Sequence, residues 1–106
     1  MQFNTGSALL DAVVLAAVSK DEEGTYGYRI TQDVRQALDV SESALYPVLR
    51  RLQTAGLLET YDREFSGRNR RYYRITPQGM TELEACRREW QSYCTSISSI
   101  LLGGRT

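Results

Sequence analysis

Positive charge and tyrosine are concentrated in one short stretch of the chain, FSGRNRRYYRIT at residues 65–76. Four arginines fall within seven residues of this stretch, and no acidic residue stands among them. Side chains of this type at this density can bind phosphate groups through local electrostatic attraction. The alternative is a solvated turn whose charges keep an exposed strand edge soluble. The arginines are Arg68, Arg70, Arg71 and Arg74.

The charges of the whole chain, in contrast, are balanced. Its 106 residues include 13 basic and 13 acidic ones, so the formal net charge is zero. Residues 1–56 carry five basic and seven acidic groups, whereas residues 57–76 carry five basic and three acidic groups. The sequence therefore predicts a basic segment on an acidic body, with an attraction for anions that is local.

The residues that most often perform catalysis are missing. There is no histidine, which removes the commonest acid–base group and the commonest zinc ligand. No glycine-rich phosphate loop follows a strand pattern, and no G-x-S-x-G motif occurs. Cys86 and Cys94 lack the spacing of a metal site. We therefore expect no enzyme activity, no catalytic residue, no cofactor and no bound metal ion.

The length suits a single compact core, and the composition, with 42% apolar and 25% charged residues, is ordinary for a globular protein. No apolar run approaches the roughly 18 residues that a membrane span needs. No basic segment precedes an apolar stretch at the N-terminus, as it would in a secretory signal. We expect a cytoplasmic protein without membrane association.

Hydrophobic periodicity predicts four helices and two strands. Apolar residues recur at helical spacing in three segments before residue 57, where the period changes to two. Thr25 is expected to cap the second helix, Ser41 or Ser43 the third, and Thr76 the fourth. The predicted helices cover residues 7–18, 26–38, 41–56 and 77–101, and the strands cover residues 57–64 and 70–75.

A hairpin directly after the third of three helices is typical of a winged helix-turn-helix. The predicted fold class is mainly α with a small β-hairpin, followed by one long C-terminal helix. The third helix would bury an apolar face and expose a polar one, whose groups can donate to phosphates or to base edges in the major groove of DNA. The exposed side chains are expected to be Ser43, Tyr46, Arg50 and Gln53.

The last helix is expected to join two copies of the chain. Its apolar positions alternate steps of three and four, which is a heptad seam of about two and a half repeats. A second copy can bury this seam, whereas residues 1–76, the predicted winged helix-turn-helix domain, are too few to cover it. Residues 77–106 would then be a dimerisation helix packing with helix 1 of both copies, and the two recognition helices would lie about 34 Å apart, which suits a palindromic site. The seam consists of Leu83, Cys86, Trp90, Tyr93, Ile97 and Ile100.

Three motifs in order carry a resemblance to a known family. They are TYGYRI at residues 25–30, ALYPVLRRLQTAGLLE at residues 44–59 and GRNRRYYRITPQG at residues 67–79. With them the chain resembles the PadR family of bacterial transcriptional regulators, and its single last helix resembles the short subclass. The resemblance implies a homodimeric winged helix-turn-helix repressor that binds double-stranded DNA.

The resemblance also implies roles for individual residues at the matching motif positions. The wing departs from the family pattern at Asn69 and Arg71, although Arg71 keeps the positive charge. The implied DNA-binding residues are Tyr46, Pro47 and Arg50 on the recognition helix, Tyr28 near the start of the second helix, and Arg68 and Arg70 in the wing.

Trp90 is the only tryptophan, and Cys86 and Cys94 stand one helical turn to either side of it. One interpretation is that its ring fills the dimer core. The resemblance implies another, in which a small planar aromatic effector stacks beside the ring at the dimer centre, where Ala12 and Ala16 of the first helix leave room. The two cysteines are too far apart on one helix for an intrachain disulfide.

The alternative function is a protein–protein interaction module without specific DNA binding, because winged helices also bind proteins and a neutral chain would suit that role. A basic wing beside Tyr46 and Arg50 favours DNA. A protein-binding surface would more often expose an apolar patch there.

Overall fold

A computed structural model describes residues 7–103, so the ends of the predicted domains, residues 1–6 and 104–106, lie outside the described residues. The fold is mainly helical with a small three-stranded antiparallel sheet, which confirms the predicted class. Among the described residues, no helix is long and apolar enough to cross a membrane. The elements are α1 (Ser7–Ser19), β1 (Thr25–Tyr26), α2 (Gly27–Val34), α3 (Glu42–Thr54), β2 (Leu58–Phe65), β3 (Arg68–Ile75) and α4 (Pro77–Leu101).

One hydrophobic core lies between the first three helices, strand β3 and the start of α4. Helix α1 runs through its middle, because Val14, Leu15 and Val18 have almost no exposed surface. Burying each aliphatic side chain of this size contributes about 1.5–3 kcal/mol, so these contacts dominate the stability of the domain. Other buried members are Ile30, Val34, Leu45, Leu49, Leu52, Leu58 and Leu83.

The start of α2 differs from the prediction. Thr25 does not cap this helix; with Tyr26 it forms strand β1, which pairs antiparallel with Tyr73 and Tyr72 of β3. The N-cap position is Tyr26, and no side chain bonds there. Tyrosine and threonine favour extended backbone, but a strand of two residues has no period that a sequence pattern can reveal. The helix also ends at Val34 rather than at residue 38, and a turn follows it.

Helix α3 begins at the Ser41 cap, where the serine hydroxyl accepts a hydrogen bond from the Ala44 amide at 3.2 Å. Of the two predicted caps, Ser41 is therefore the one used. Pro47 lies inside the helix, where it removes one backbone donor without ending it. Gly56, at a φ of +81°, provides the left-handed residue that follows the helix.

Strands β2 and β3 form the predicted hairpin; β2 has the predicted length, shifted by one residue, and β3 begins two residues earlier than predicted. A two-residue turn joins them, with φ of 54° at Ser66 and 77° at Gly67. Positive φ at both positions matches the twist of the two strands and fixes their register, in which Arg63 faces Arg70. Strand β3 is the central strand of the sheet, with β1 on its other side. The hairpin is the wing of the fold.

Helix α4 covers the predicted residues, and Thr76 caps it as predicted, since its hydroxyl accepts from the Gly79 amide at 2.9 Å. Proline at the next position costs nothing because the amide there has no partner inside the helix. Of its 25 residues, Gly79 and Leu83 alone are buried. The helix therefore runs outward from the core, and the protein measures 57 × 27 × 21 Å.

Candidate nucleic-acid interface

Helix α3 has one buried face and one exposed face, as its periodicity predicts. Its exposed face carries the four polar side chains predicted from the sequence, and Gln53 also donates to the Thr60 hydroxyl of β2 at 3.3 Å. Pro47 is exposed on the same helix. The four are Ser43, Tyr46, Arg50 and Gln53.

A concave surface of about 480 Å³ lies between the exposed face of α3, the start of α2 and the wing. We call it the α3–wing groove. Of the predicted DNA-binding residues, three lie outside its lining: Ser43, Pro47 and Arg68, which is exposed beside the hairpin turn. The lining consists of Tyr26, Gly27, Tyr28, Glu42, Tyr46, Arg50, Gln53, Arg70, Arg71 and Tyr73.

Two tyrosines in the groove make hydrogen bonds of opposite direction. The Tyr46 hydroxyl donates to a carboxylate oxygen of Glu42 at 2.9 Å, and this bond is the main reason why the pKa of Tyr46 is raised above its usual value. The Tyr28 hydroxyl accepts from the Gln32 side-chain amide, also at 2.9 Å. Both rings are exposed, to 42% for Tyr46 and 56% for Tyr28.

Gly27, the first residue of α2, makes room for the ring of Tyr46. A Cβ atom at this position would lie 3.1 Å from the Tyr46 hydroxyl oxygen and 3.4 Å from a ring carbon. A larger residue would therefore require the Tyr46 ring to move by a few tenths of an ångström. The close approach of α2 to Tyr46 holds the tyrosine over the groove.

Two of the four arginines in residues 68–74 lie over tyrosine rings on one face of the sheet. Arg70 lies 4.9 Å from the centre of the Tyr26 ring, and Arg74 lies 5.1 Å from that of Tyr61. Cation–π contacts of this length contribute roughly 0.5–1 kcal/mol at exposed sites. The rings that Arg70 and Arg74 contact therefore belong to the neighbouring strands β1 and β2, and not to the tyrosines between the arginines in the sequence.

The two central tyrosines of the wing, Tyr72 and Tyr73, lie in different surroundings. Tyr73 belongs to the core and lines the groove, and its burial raises its pKa. Tyr72 lies on the other face of the sheet, where its ring contacts those of Tyr26 and Tyr61 at centroid distances of 5.5 and 5.6 Å. Successive residues of a strand point to opposite faces, so the two could not share a partner.

Half of the residues that line the groove were not predicted as site residues, namely Tyr26, Gly27, Glu42, Arg71 and Tyr73. Among them, Glu42 stands at the start of α3, a position that suits a carboxylate for electrostatic reasons alone, so its position does not by itself indicate a site residue. The available signal was the spacing of four residues from Tyr46, which places the two side chains next to each other on a helix.

A second concave surface, of about 320 Å³, lies between α1, the turn that follows α2, and α4. It brings together four of the residues predicted to hold an aromatic effector, namely Ala12, Ala16, Cys86 and Trp90. Cys94 is outside its lining. We call it the α1–α4 cavity; its other lining residues are Leu9, Val13, Ala37, Leu38, Leu83 and Arg87.

Burial raises the pKa of the Cys86 thiol, and the nearby Glu82 carboxylate raises it further. A thiol kept protonated is a weak nucleophile, so Cys86 behaves as a small apolar residue of this cavity. Within residues 7–103, no group of three or more histidine, cysteine, aspartate or glutamate side chains is arranged to hold a metal ion.

Residues 14–85 match the sequence model of the transcriptional regulator PadR-like family. The chain belongs to this family. Its members are transcriptional regulators and not enzymes. The matched residues extend from the core of α1 through the recognition helix and the wing to the first turns of α4.

Individual relatives agree with this assignment. A transcriptional regulator of Mycobacterium tuberculosis is 38% identical over 82 residues, which are 76% of this chain and 73% of that protein. A crystal structure from Streptococcus mutans is 37% identical, with a TM-score of 0.85, and the match covers 100% of this chain and 98% of the other. Bacillus subtilis PadR in complex with operator DNA shares the fold at 23% identity and a TM-score of 0.64, over 73% of this chain and 46% of that one.

Proposed function

We propose that this protein is a sequence-specific DNA-binding repressor that acts in the cytoplasm as a homodimer on a palindromic operator. The observation that carries the proposal is the convergence of the exposed face of α3 and the arginines of the wing on one groove. Cationic and hydrogen-bonding side chains on a convex helix beside a β-hairpin suit the major groove and its flanking phosphates.

The two parts of this surface would have different tasks. Ser43, Arg50 and Gln53 on α3 would reach base edges, with Tyr46 and Pro47 on the same helix face. Arg68 and Arg70 in the wing and Tyr28 at the start of α2 would contact phosphates, which position a protein without reading sequence. The fold shared with PadR of Bacillus subtilis, whose structure contains operator DNA, supports this arrangement.

The homodimer is proposed from the outer part of α4. Apolar side chains on the predicted seam remain exposed beyond Leu83, among them Trp90 at 42% and Ile100 at 77%. Helix α1 offers a partly exposed apolar side beside them, where it lines the α1–α4 cavity. A second copy would bury both surfaces and place the two α3 helices on one side of the dimer.

The α1–α4 cavity is the proposed site of a small planar aromatic effector. Its walls are almost entirely apolar, and small side chains at Ala12 and Ala16 face Trp90 across it. An aromatic compound could stack on the indole ring and replace part of the contact between two copies. Because the cavity touches α4, its occupation would change how the copies are arranged and so release the DNA.

Fluorescence anisotropy on DNA upstream of the protein's own gene, against a scrambled duplex and over a range of salt, tests DNA recognition. We expect a preference of about 10³ or more for the native duplex, with an affinity that falls steeply as salt rises. Equal and weak binding to native, scrambled and randomised duplexes would contradict the proposal and favour a protein partner.

Quenching of Trp90 fluorescence by a panel of planar aromatic compounds tests the effector site. We expect saturable quenching in the wild type and its loss in Ala16→Leu, whose side chain would fill the cavity. Thr95→Leu, on an exposed polar position of α4, is the matched control. A complete absence of quenching would contradict an effector of this class.

A further inference from the structure

The bond between Glu42 and Tyr46 determines what both side chains can offer to a ligand. An ionised carboxylate can only accept hydrogen bonds, so the Tyr46 hydroxyl must be the donor of the 2.9 Å bond. A phenol has one proton, and here that proton is already used. The raised pKa of Tyr46 agrees, because the same bond holds the proton on the phenol.

The pair therefore presents only acceptors to the groove. The Tyr46 oxygen keeps its lone pairs, and the second carboxylate oxygen of Glu42 keeps its own. Tyr28 has the opposite polarity, since its oxygen accepts from Gln32 and its proton remains available to an outside acceptor. A phosphate oxygen is such an acceptor, whereas a phosphate has nothing to donate to Glu42 or Tyr46.

The position of the pair agrees with a contact to bases. Glu42 is the first residue of α3, and Tyr46 follows one turn later. The N-terminal residues of a recognition helix are those that meet base edges in the major groove. The negative charge of Glu42 repels phosphates, so this corner of the groove is unsuited to backbone contacts.

We propose that the Glu42–Tyr46 pair is a specificity-determining element, which selects a base with an exocyclic amine at one position of each operator half-site. The amine is N6 of adenine or N4 of cytosine, both of which are donors in the major groove. Guanine and thymine present acceptor oxygens at the corresponding places, and two acceptors facing each other without a proton are repelled. This inference rests on the proposed function.

The pair depends on its neighbours for its orientation. Ser41 caps the helix through the Ala44 amide, which fixes the start of α3 and therefore Glu42. Gly27 allows the start of α2 to approach the Tyr46 ring closely. The acceptor atoms are thus held in place before DNA binds, which is the condition for discrimination between bases of similar size.

The test begins with duplexes that the wild-type protein selects from a randomised pool. Each adenine of the selected site is replaced by purine and each cytosine by 2-pyrimidinone, which removes the amine alone. Affinities are measured by anisotropy for the wild type, for Glu42→Gln, for Tyr46→Phe, for the double variant and for Tyr28→Phe. Circular dichroism and thermal unfolding verify that each variant is folded.

We expect one position in each half-site where loss of the amine weakens wild-type binding about tenfold or more. The single variants should reduce this dependence, and the double variant should bring it below about twofold at that position only, because a glutamine can also donate and a phenylalanine offers no oxygen. Tyr28→Phe should weaken binding to every duplex by a similar factor and keep the tenfold dependence, as expected of a phosphate contact.

Two results would overturn the inference. The first leaves the proposed function intact, whereas the second contradicts the proposed function as well. If the double variant shows the same dependence on every amine as the wild type, the pair does not read bases, and the proposed function stands. If the selection enriches no duplex, the proposed function itself fails and the role of the pair fails with it.

Discussion

The α3–wing groove and the outer part of α4 are both exposed surfaces, but they differ in the polarity of their side chains and in the contacts between them. In the groove, the side chains contact one another: the Tyr46 hydroxyl donates a hydrogen bond to Glu42, and Arg70 lies over the Tyr26 ring. Along α4, Ile97 and Ile100 are exposed apolar groups on the predicted seam. The first surface is suited to a charged, hydrated partner, and the second is suited to an apolar one.

This difference predicts that added salt weakens binding at the groove but not at α4. Binding to phosphates releases counterions, so salt weakens it. Burial of apolar surface contributes about 25 cal/mol for each Å² and is not screened. If the groove binds DNA and α4 binds a second copy, added salt should separate the two events. At high ionic strength a dimer without DNA should remain.

The largest effect is expected when charges are placed on the apolar surface of α4. In the double variant Ile97→Glu, Ile100→Glu, a dimer would have to bury unpaired carboxylates, which costs several kcal/mol. We expect the dimer to weaken by about a hundredfold or more, since each 1.4 kcal/mol is a factor of ten. Sedimentation equilibrium measures this, and anisotropy should show a parallel loss of operator affinity.

The matched control adds the same charges to the opposite side of α4. Thr95 and Ser99 are exposed there, so Thr95→Glu with Ser99→Glu should leave the dimer within about twofold of the wild type. Equal weakening in the two double variants would mean that net charge, and not the seam, is responsible. No weakening in either would remove the proposed interface.

A smaller effect, on the free energy of unfolding, is expected where α4 packs against the segments that flank the wing. Gly79, in the first turn of α4, is buried against the segments that flank the wing, and a Cβ atom there would overlap the carbonyl oxygen of Leu57 and lie 2.7 Å from Ile75. Because a backbone atom cannot yield as a side chain can, Gly79→Ala should lower the free energy of unfolding by about 1–3 kcal/mol. Denaturant unfolding measures it.

The adjacent exposed residue provides the comparison for this variant. Gln78→Ala changes the same helical turn without entering the core, and it should alter stability by less than about 0.5 kcal/mol. A Gly79→Ala protein as stable as Gln78→Ala would show that the joint is looser than the close approach of Leu57 indicates.

Strong local signals were enough to predict most of this fold. Thr76 and Pro77 fix the start of α4, and Ser66 with Gly67 fixes the hairpin turn, because each requires only its own residues and a few neighbours. Strand β1 could not be predicted in the same way. Its two residues are extended because β3 offers them hydrogen bonds, and that partner lies almost fifty residues away in the sequence.

The candidate site also has some features that the sequence could predict and others that it could not. The polar face of α3 and the charge of the wing follow from helical and strand periodicity, so the sequence indicated Arg50 and Arg70. The direction of a hydrogen bond is not a property of a pattern. That the Tyr46 proton is directed to Glu42, whereas the Tyr28 oxygen accepts from Gln32, appears only when the side chains are placed. The proposed base specificity depends on the directions of these two hydrogen bonds.

Removing charge from the wing alone should affect DNA binding and leave the dimer unchanged. Arg68→Ala with Arg70→Ala should weaken binding to all duplexes by about tenfold, and it should reduce the slope of log affinity against log salt by about 1.8 if both side chains contact phosphates.

Arg88→Ala, an equal charge change per residue at an exposed position of α4, should leave the slope unchanged. The dimer should be intact in both, because neither variant changes an apolar residue of the α4 seam. An unchanged affinity and slope in the folded double variant would mean that the wing arginines only solvate an exposed hairpin, and the groove would then have to bind DNA through α3 alone.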